Sequence, residues 1–301
     1  MKCSDPYFAG LADCQKLMQK VIGIALTEKG TTFTKATFIA EATWNANIAS
    51  VTTATRNTTV LPFTNYERTT SDATVNETNL GFKDKDTDPA PSMVGWLDIS
   101  YCDYKTLFSL EGTAFDVVLF LQDNTQFASQ KSDLTIKGFR AKINVRKDLP
   151  PSDNSQSSYP VEINFRSARE FENGYIDIPD HTFDDVLDMV PVGLSLSVTT
   201  ALNATTGVAV VQVNKRCTDT GQAGLVLADW EVLASNGTPT VGVTVMVDDT
   251  QGQYTLTINE GVGGTPGALE AGEWAIIQCS DEDAGPTYLT YLSNVLKLVA
   301  E

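Results

Sequence analysis

The chain has 301 residues, 42% of them hydrophobic, with 38 acidic against 21 basic side chains and a formal net charge of −17. That hydrophobic content builds real cores and argues against a wholly disordered chain. The charge repels DNA, RNA and anionic lipid, so tight binding to any of them is excluded as a main role.

At the N-terminus, Ser4-Asp5-Pro6 reads as a helix start, and Leu11, Cys14, Met18, Val21 and Ile22 continue it at helical spacing. FTKATFIA, at about 33–40, reads as a strand, with Trp44 and Ile48 marking a turn or short helix after it. Residues 65–92 contain few apolar side chains and form a long polar excursion, uncommon in a compact domain unless it serves a purpose. FDVVLFLQ at 115–122 reads as a strand buried on both faces.

In KGFRAKINVRK, Phe139, Ala141, Ile143 and Val145 alternate with Arg140, Lys142, Asn144 and Arg146. VEINFR sets Val161, Ile163 and Phe165 against Glu162, Asn164 and Arg166. The polar loop between them predicts an antiparallel pair with an apolar and a charged face. Thr182 and Asp185 begin a short amphipathic helix at 183–190.

From about 200 the texture turns to Thr, Val and Gly. Strands are expected in VAVVQVNKR, LVLADWEVLA, TVGVTVMV, QYTLTINE, EWAIIQC and TYLTYLSNVLKLV. Such regular strands predict an all-β sandwich. A boundary at 198–204 gives domains 1–200 and 201–301. Cys217, Trp230 and Cys279 follow the order and rough separation of the Cys…Trp…Cys core of an immunoglobulin-like sandwich, although Ile277 stands where that family has a Tyr.

Five scattered cysteines with no C-x-x-C pair are neither a disulfide framework nor a zinc site. No apolar run reaches transmembrane length, and the start lacks a signal peptide's core. The expectation is a soluble product of a reducing cytoplasm, with no membrane partner and with Cys217 and Cys279 as buried thiols.

Candidate chemistry is sparse. Asp84, Asp86 and Asp88 alternate as a calcium loop begins, but Pro89 and Gly95 occupy the positions that need Gly and Glu. They read as a solvated acidic loop. The single histidine, His181, sits at an expected helix start, and EGVGGTPG at 260–267 lacks a P-loop's ending. Neither a cofactor nor a catalytic site is expected, so the chain does not read as an enzyme.

The order FTKATFIA, polar excursion 65–92, FDVVLFLQ, KGFRAKINVRK, PVEINFRS and a short helix resembles that of bacteriophage tail tube proteins. The texture of SAREFENGYIDIPDHTFDDVLDMVPVG resembles phage structural proteins as well. The resemblance spans about two thirds of the chain and contains no diagnostic motif. It implies an N-terminal β-sandwich or partial barrel that joins copies of itself into stacked hexameric rings, with an immunoglobulin-like domain outside. Its partners would be itself, other virion proteins and DNA as non-adherent cargo. Its location would be the virion tail, after synthesis in the host cytoplasm.

The assembly contacts it implies are Thr70, Asn76, Phe82, Asp84, Asp86 and Asp88 in the excursion. Arg140, Lys142, Arg146, Glu162 and Arg166 would provide them on the paired strands. Two alternatives stay open: another virion component (neck, tail-completion, capsid decoration or fibre protein), or a binding or adhesion protein with ligand contacts in the 218–224 or 260–272 loops.

Overall fold

A computed structural model describes residues 19–52, 54–69, 74–77, 83–87, 89–146, 159–172, 174–176, 186–234, 243–248, 251–258, 274–282 and 289–301. The chain divides into two compact units, Met1–Trp44 with Asn57–Leu187, and Asn45–Arg56 with Asp188–Glu301.

The elements through the first unit are β1 (Val21–Thr27), α1 (Lys35–Phe38), α2 (Glu41–Ala49, whose residues from Asn45 on belong to the second unit), β2 (Thr58–Val60), β3 (Phe63–Arg68), β4 (Thr74–Glu77), β5 (Lys83–Thr87) and β6 (Ser92–Leu97). After them come α3 (Tyr101–Thr106), β7 (Ala114–Leu121), β8 (Gln126–Gln130), β9 (Ile136–Lys137), β10 (Phe139–Val145), β11 (Tyr159–Phe165), α4 (Arg169–Glu172) and β12 (Gly174–Ile176).

Ten of these strands form one sheet, in the order β12-β8-β7-β10-β11-β6-β3, with β1 and β2 joined at β7 and β9 at β8. The sheet curls into a half-barrel around its core. β7 organises it: β1 takes one edge along Asp116–Leu121, while β10 and β8 share the other. From Asp116 to Leu121 every residue of β7 is buried, so this strand packs on both faces. Val117, Leu119 and Leu121 enter the barrel core, and Phe120 meets Trp44 edge-on, which in turn stacks on Phe33.

β10 and β11 pair antiparallel, Ile143 opposite Ile163, and the alternation of Phe139, Ala141, Ile143 and Val145 points into the core. Phe139 is fully buried and stacks on Phe171 at 4.2 Å. Gly95 of β6 lies under Phe63, whose ring would be 2.6 Å from a Cβ there. A side chain at 95 would displace that aromatic.

Two readings near the N-terminus change. Val21 and Ile22 lie on β1, not on a helix, because an apolar run buried along its length has no polar alternation to show its period. FTKATFIA is not a strand: Thr34 caps α1, with Thr34 and Thr37 each accepting from the other's backbone N–H. Farther on, the expected helix at 183–190 is described only as a 3-10 turn over Val186–Met189, and its capping start lies outside the described residues.

The second unit contains β13 (Val192–Thr200), β14 (Val208–Lys215), β15 (Trp230–Ala234), β16 (Val243–Asp248), β17 (Gln253–Ile258), β18 (Trp274–Glu282), β19 (Leu289–Ser293) and β20 (Leu296–Val299). β13-β14-β17-β16 are consecutive antiparallel neighbours, and β15-β18-β20 form a second set. The order within each set is that of the ABED and CFG sheets of an immunoglobulin-like sandwich, with the difference that β19 pairs with both β13 and β18 and joins the two sets. Its core interleaves Val211, Val213, Trp230, Tyr254, Leu256, Ile277 and Cys279.

The unit begins ahead of the expected 198–204 boundary because β13 pairs with β14 and, in parallel, with β19. Two expected strands are also divided. LVLADWEVLA opens with a 3-10 turn at Leu227–Asp229 before β15. TYLTYLSNVLKLV breaks at Asn294, whose side chain accepts from the Leu196 backbone N–H at 2.6 Å.

Candidate assembly site

The polar excursion is an arm built from strand. β3 and β6 pair as far as Arg68 opposite Met93. The Thr69 N–H then bonds the Ser92 carbonyl at 2.9 Å, and their hydroxyls meet at 2.8 Å. Farther out β4 and β5 form a separate two-stranded sheet that no other strand joins among the described residues. Two-stranded ribbons are marginal in water by themselves, and their outer backbone edges can accept another strand.

Asn76 stands opposite Asp84 in this ribbon. The ladder steps from Val75–Lys85 to Thr74–Thr87, leaving Asp86 as the extra residue of a bulge. Asp84 and Asp86 thus lie on a strand and not in the loop the sequence suggested, while Thr70, Phe82 and Asp88 fall outside the described residues. Among the described residues no group of three or more His, Cys, Asp or Glu could hold a metal ion.

The charged face of β10 and β11 separates into two kinds of residue. Arg140 is held inside the protomer: its Nε donates to Asp116 Oδ1 at 2.5 Å, its side chain is 14% exposed, and that of Asp116 is fully buried. Asp116 Oδ2 also accepts from the Gly30 N–H at 2.7 Å, and Glu170 accepts from the Arg140 backbone N–H at 2.6 Å. Arg140 is therefore committed to an internal network, a role its place in the alternation does not reveal. Lys142 and Arg166 are exposed, and Arg146 pairs at the surface with Glu162 through a 2.6 Å hydrogen bond. Exposed pairs of this kind contribute only about 0–1 kcal/mol to stability.

A cavity of about 420 Å³ opens where the arm leaves the barrel. Its walls are apolar, with Leu119, Phe127, Phe165 and Phe171 among them, and Tyr66, Arg68 and Ser92 supply the polar groups. The sequence gives no sign of this cavity, because its lining comes from seven separate elements and the turn before α4. Phe171, alone between charged neighbours in REFE, is the one local hint.

In the second unit, residues 45–56 lie along the outward side of β15 and β18. Arg56 donates to the Ser50 carbonyl at 2.6 Å and to Gln278 Oε1 at 2.8 Å, and Gln278 Nε2 donates to the Ala49 carbonyl at 2.6 Å. Burial lowers the Arg56 pKa, with Glu231 acting in the opposite sense. The Glu231 carboxyl is raised by burial, against the pull of the Val51 backbone N–H and the Arg56 charge.

The immunoglobulin-like core departs from the expected cysteine pair. Trp230 and Cys279 are direct cross-strand partners and both are buried. Cys217, however, lies beyond the end of β14 with a positive φ of 65°, outside the core. It is disulfide-bonded, as is Cys102, whereas Cys279 is a free buried thiol. The expectation of two buried thiols therefore holds for Cys279 and fails for Cys217. Residue spacing matched the family, but the register put Cys217 past the last inward position of its strand, Val213.

No helix among the described residues is long and apolar enough to cross a membrane. No protein-family model matches the chain, and no curated protein matches it.

Proposed function

We propose that this chain is a structural protein that self-assembles, its first unit forming stacked rings as the subunits of a phage tail tube do. The observation that carries the reading is the β4–β5 ribbon, a polar arm whose sheet stands apart from both large sheets of the protomer. A structure of this kind is stabilised when a neighbour covers its edges. The exposed cations Lys142 and Arg166, beside Arg146 paired with Glu162, supply a second surface of opposite sign to most of a chain of net charge −17. In a closed ring the prevailing negative charge would let DNA pass without adhering.

Negative-stain electron microscopy with light scattering on the purified full chain tests this. Rings or tubes with a central opening are the expected result, and a monomer at every concentration and after seeding overturns it. The immunoglobulin-like strand order of the second unit favours one further reading, a decoration or adhesion module. Saturable binding of a glycan or protein ligand that is lost on mutating the 218–224 loop would support that reading.

A further inference from the structure

We infer that the cavity beside β3 binds a small amphipathic carboxylic acid, its apolar body among the phenylalanines and its carboxylate at Tyr66 and Arg68. The lining belongs to the first unit of one protomer, so the site stands whether or not copies of the chain assemble.

The walls select an apolar body. Leu119, Phe127, Phe165 and Phe171 help enclose about 420 Å³, within the ~300–1,000 Å³ typical of small-molecule sites. At ~30 Å³ per molecule that volume equals roughly fourteen liquid waters. Their release from apolar walls favours an apolar occupant. Phe171 stacks on Phe139 at 4.2 Å and meets Phe165 edge-on at 5.0 Å, so the aromatic wall is held in place before a ligand arrives.

The polar groups select the other end. Tyr66 and Arg68 are two residues apart on β3 and therefore share one side of the strand. Tyr66 is half-buried and stands across the ladder from Gly95, a position with no side chain to take its hydroxyl. Among the described residues nothing hydrogen-bonds that phenol. Ser92, by contrast, is engaged, its hydroxyl donating to the Thr69 carbonyl at 2.5 Å. Arg68 is the one charged residue of the lining, and the five N–H donors of a guanidinium can take a carboxylate alongside its other contacts. One cation suits a single negative charge. A sugar or nucleotide would bury many polar groups that these walls cannot satisfy.

Isothermal titration calorimetry of the full chain with decanoate and with 1-decanol tests this. One decanoate per chain is expected, with 1-decanol, of equal length but uncharged, bound at least tenfold more weakly. Tyr66→Phe removes only a hydroxyl, so it should weaken decanoate roughly tenfold and leave the melting curve in place. Arg68→Gln, at an exposed position, should weaken decanoate and leave 1-decanol unchanged. Ala168→Trp, which fills the cavity from a partly exposed turn, should abolish binding of both. No binding of decanoate below its micelle concentration overturns the site. Binding that either Tyr66→Phe or Ala168→Trp leaves unchanged overturns it too, since the ligand then sits elsewhere. Equal affinity for the two probes overturns the carboxylate.

Discussion

Gln278 and Arg56 are joined by a 2.8 Å hydrogen bond that closes residues 45–56 onto the outer side of the immunoglobulin-like sheet. Gln278 is 1% exposed and its amide also reaches the Ala49 carbonyl, so both ends of one buried carboxamide are in use. Gln278→Ala leaves a guanidinium donor and a carbonyl without this partner. The expected cost is about 1–3 kcal/mol, read by urea denaturation. An unchanged midpoint would show that the segment is held by other contacts.

The same contact gives a pH dependence. Because burial raises the Glu231 pKa, the folded state holds this proton at pH values where the unfolded chain has released it. The contribution of Glu231 to stability is therefore greatest on the acid side and is lost as pH rises through its folded pKa. Glu231→Gln should be more stable than the parent at pH 7, with the difference closing on acidification. Denaturation midpoints at several pH values check this, and a difference that widens toward acid would reverse the sign.

Arg140 and Lys142 should separate sharply although they are two residues apart on one strand. Arg140→Ala strands the buried Asp116 carboxylate, at an expected cost of roughly 3–5 kcal/mol. Lys142→Ala, at an exposed position, should stay within about 0.5 kcal/mol in protomer stability. Equal losses would place both residues in the same network.

Replacing residues 71–89 with a Gly-Asn-Gly linker removes the ribbon while keeping the β3–β6 ladder. Shortening a surface connection should alter protomer stability by less than about 1 kcal/mol, and light scattering should show the loss of assembled particles. A variant that assembles as the parent does would remove the arm from the contact.

Cys279 should not react with a thiol reagent until the chain unfolds, because it is free and fully buried. Reductant should lower the melting temperature, since Cys102 and Cys217 are disulfide-bonded and a disulfide typically contributes about 2–4 kcal/mol. Thiol titration before and after denaturation, with and without reductant, separates the two effects.

What the sequence made legible was the part with a visible period. β10 and β11 have one wet and one dry face, so their alternation shows both strand and orientation, and β7 stands out as an apolar run between turns. β1 has the same chemistry as β7 but follows a stretch with helical spacing, and the two patterns ran together. In α1 two threonines mimic a β-rich segment while their hydroxyls cap a helix. The candidate site was less legible still. Arg140 differs from Lys142 only through Asp116 across the ladder, and the cavity joins residues from Val21 to Phe171 that have no local pattern in common. Long-range register decides both, and one chain's sequence does not spell it out.

The second unit draws on two separated lengths of chain, which imposes an order on synthesis. Residues 45–56 leave the ribosome more than two hundred residues before their hydrogen-bonding partner Gln278. At roughly 5–20 residues per second the wait is on the order of ten seconds or more. During that time the barrel strands, all encoded before residue 188, are free to close. Ribosome-stalled chains lacking the last strands would carry a finished barrel and an unclaimed tether, and cellular quality control would meet that tether first.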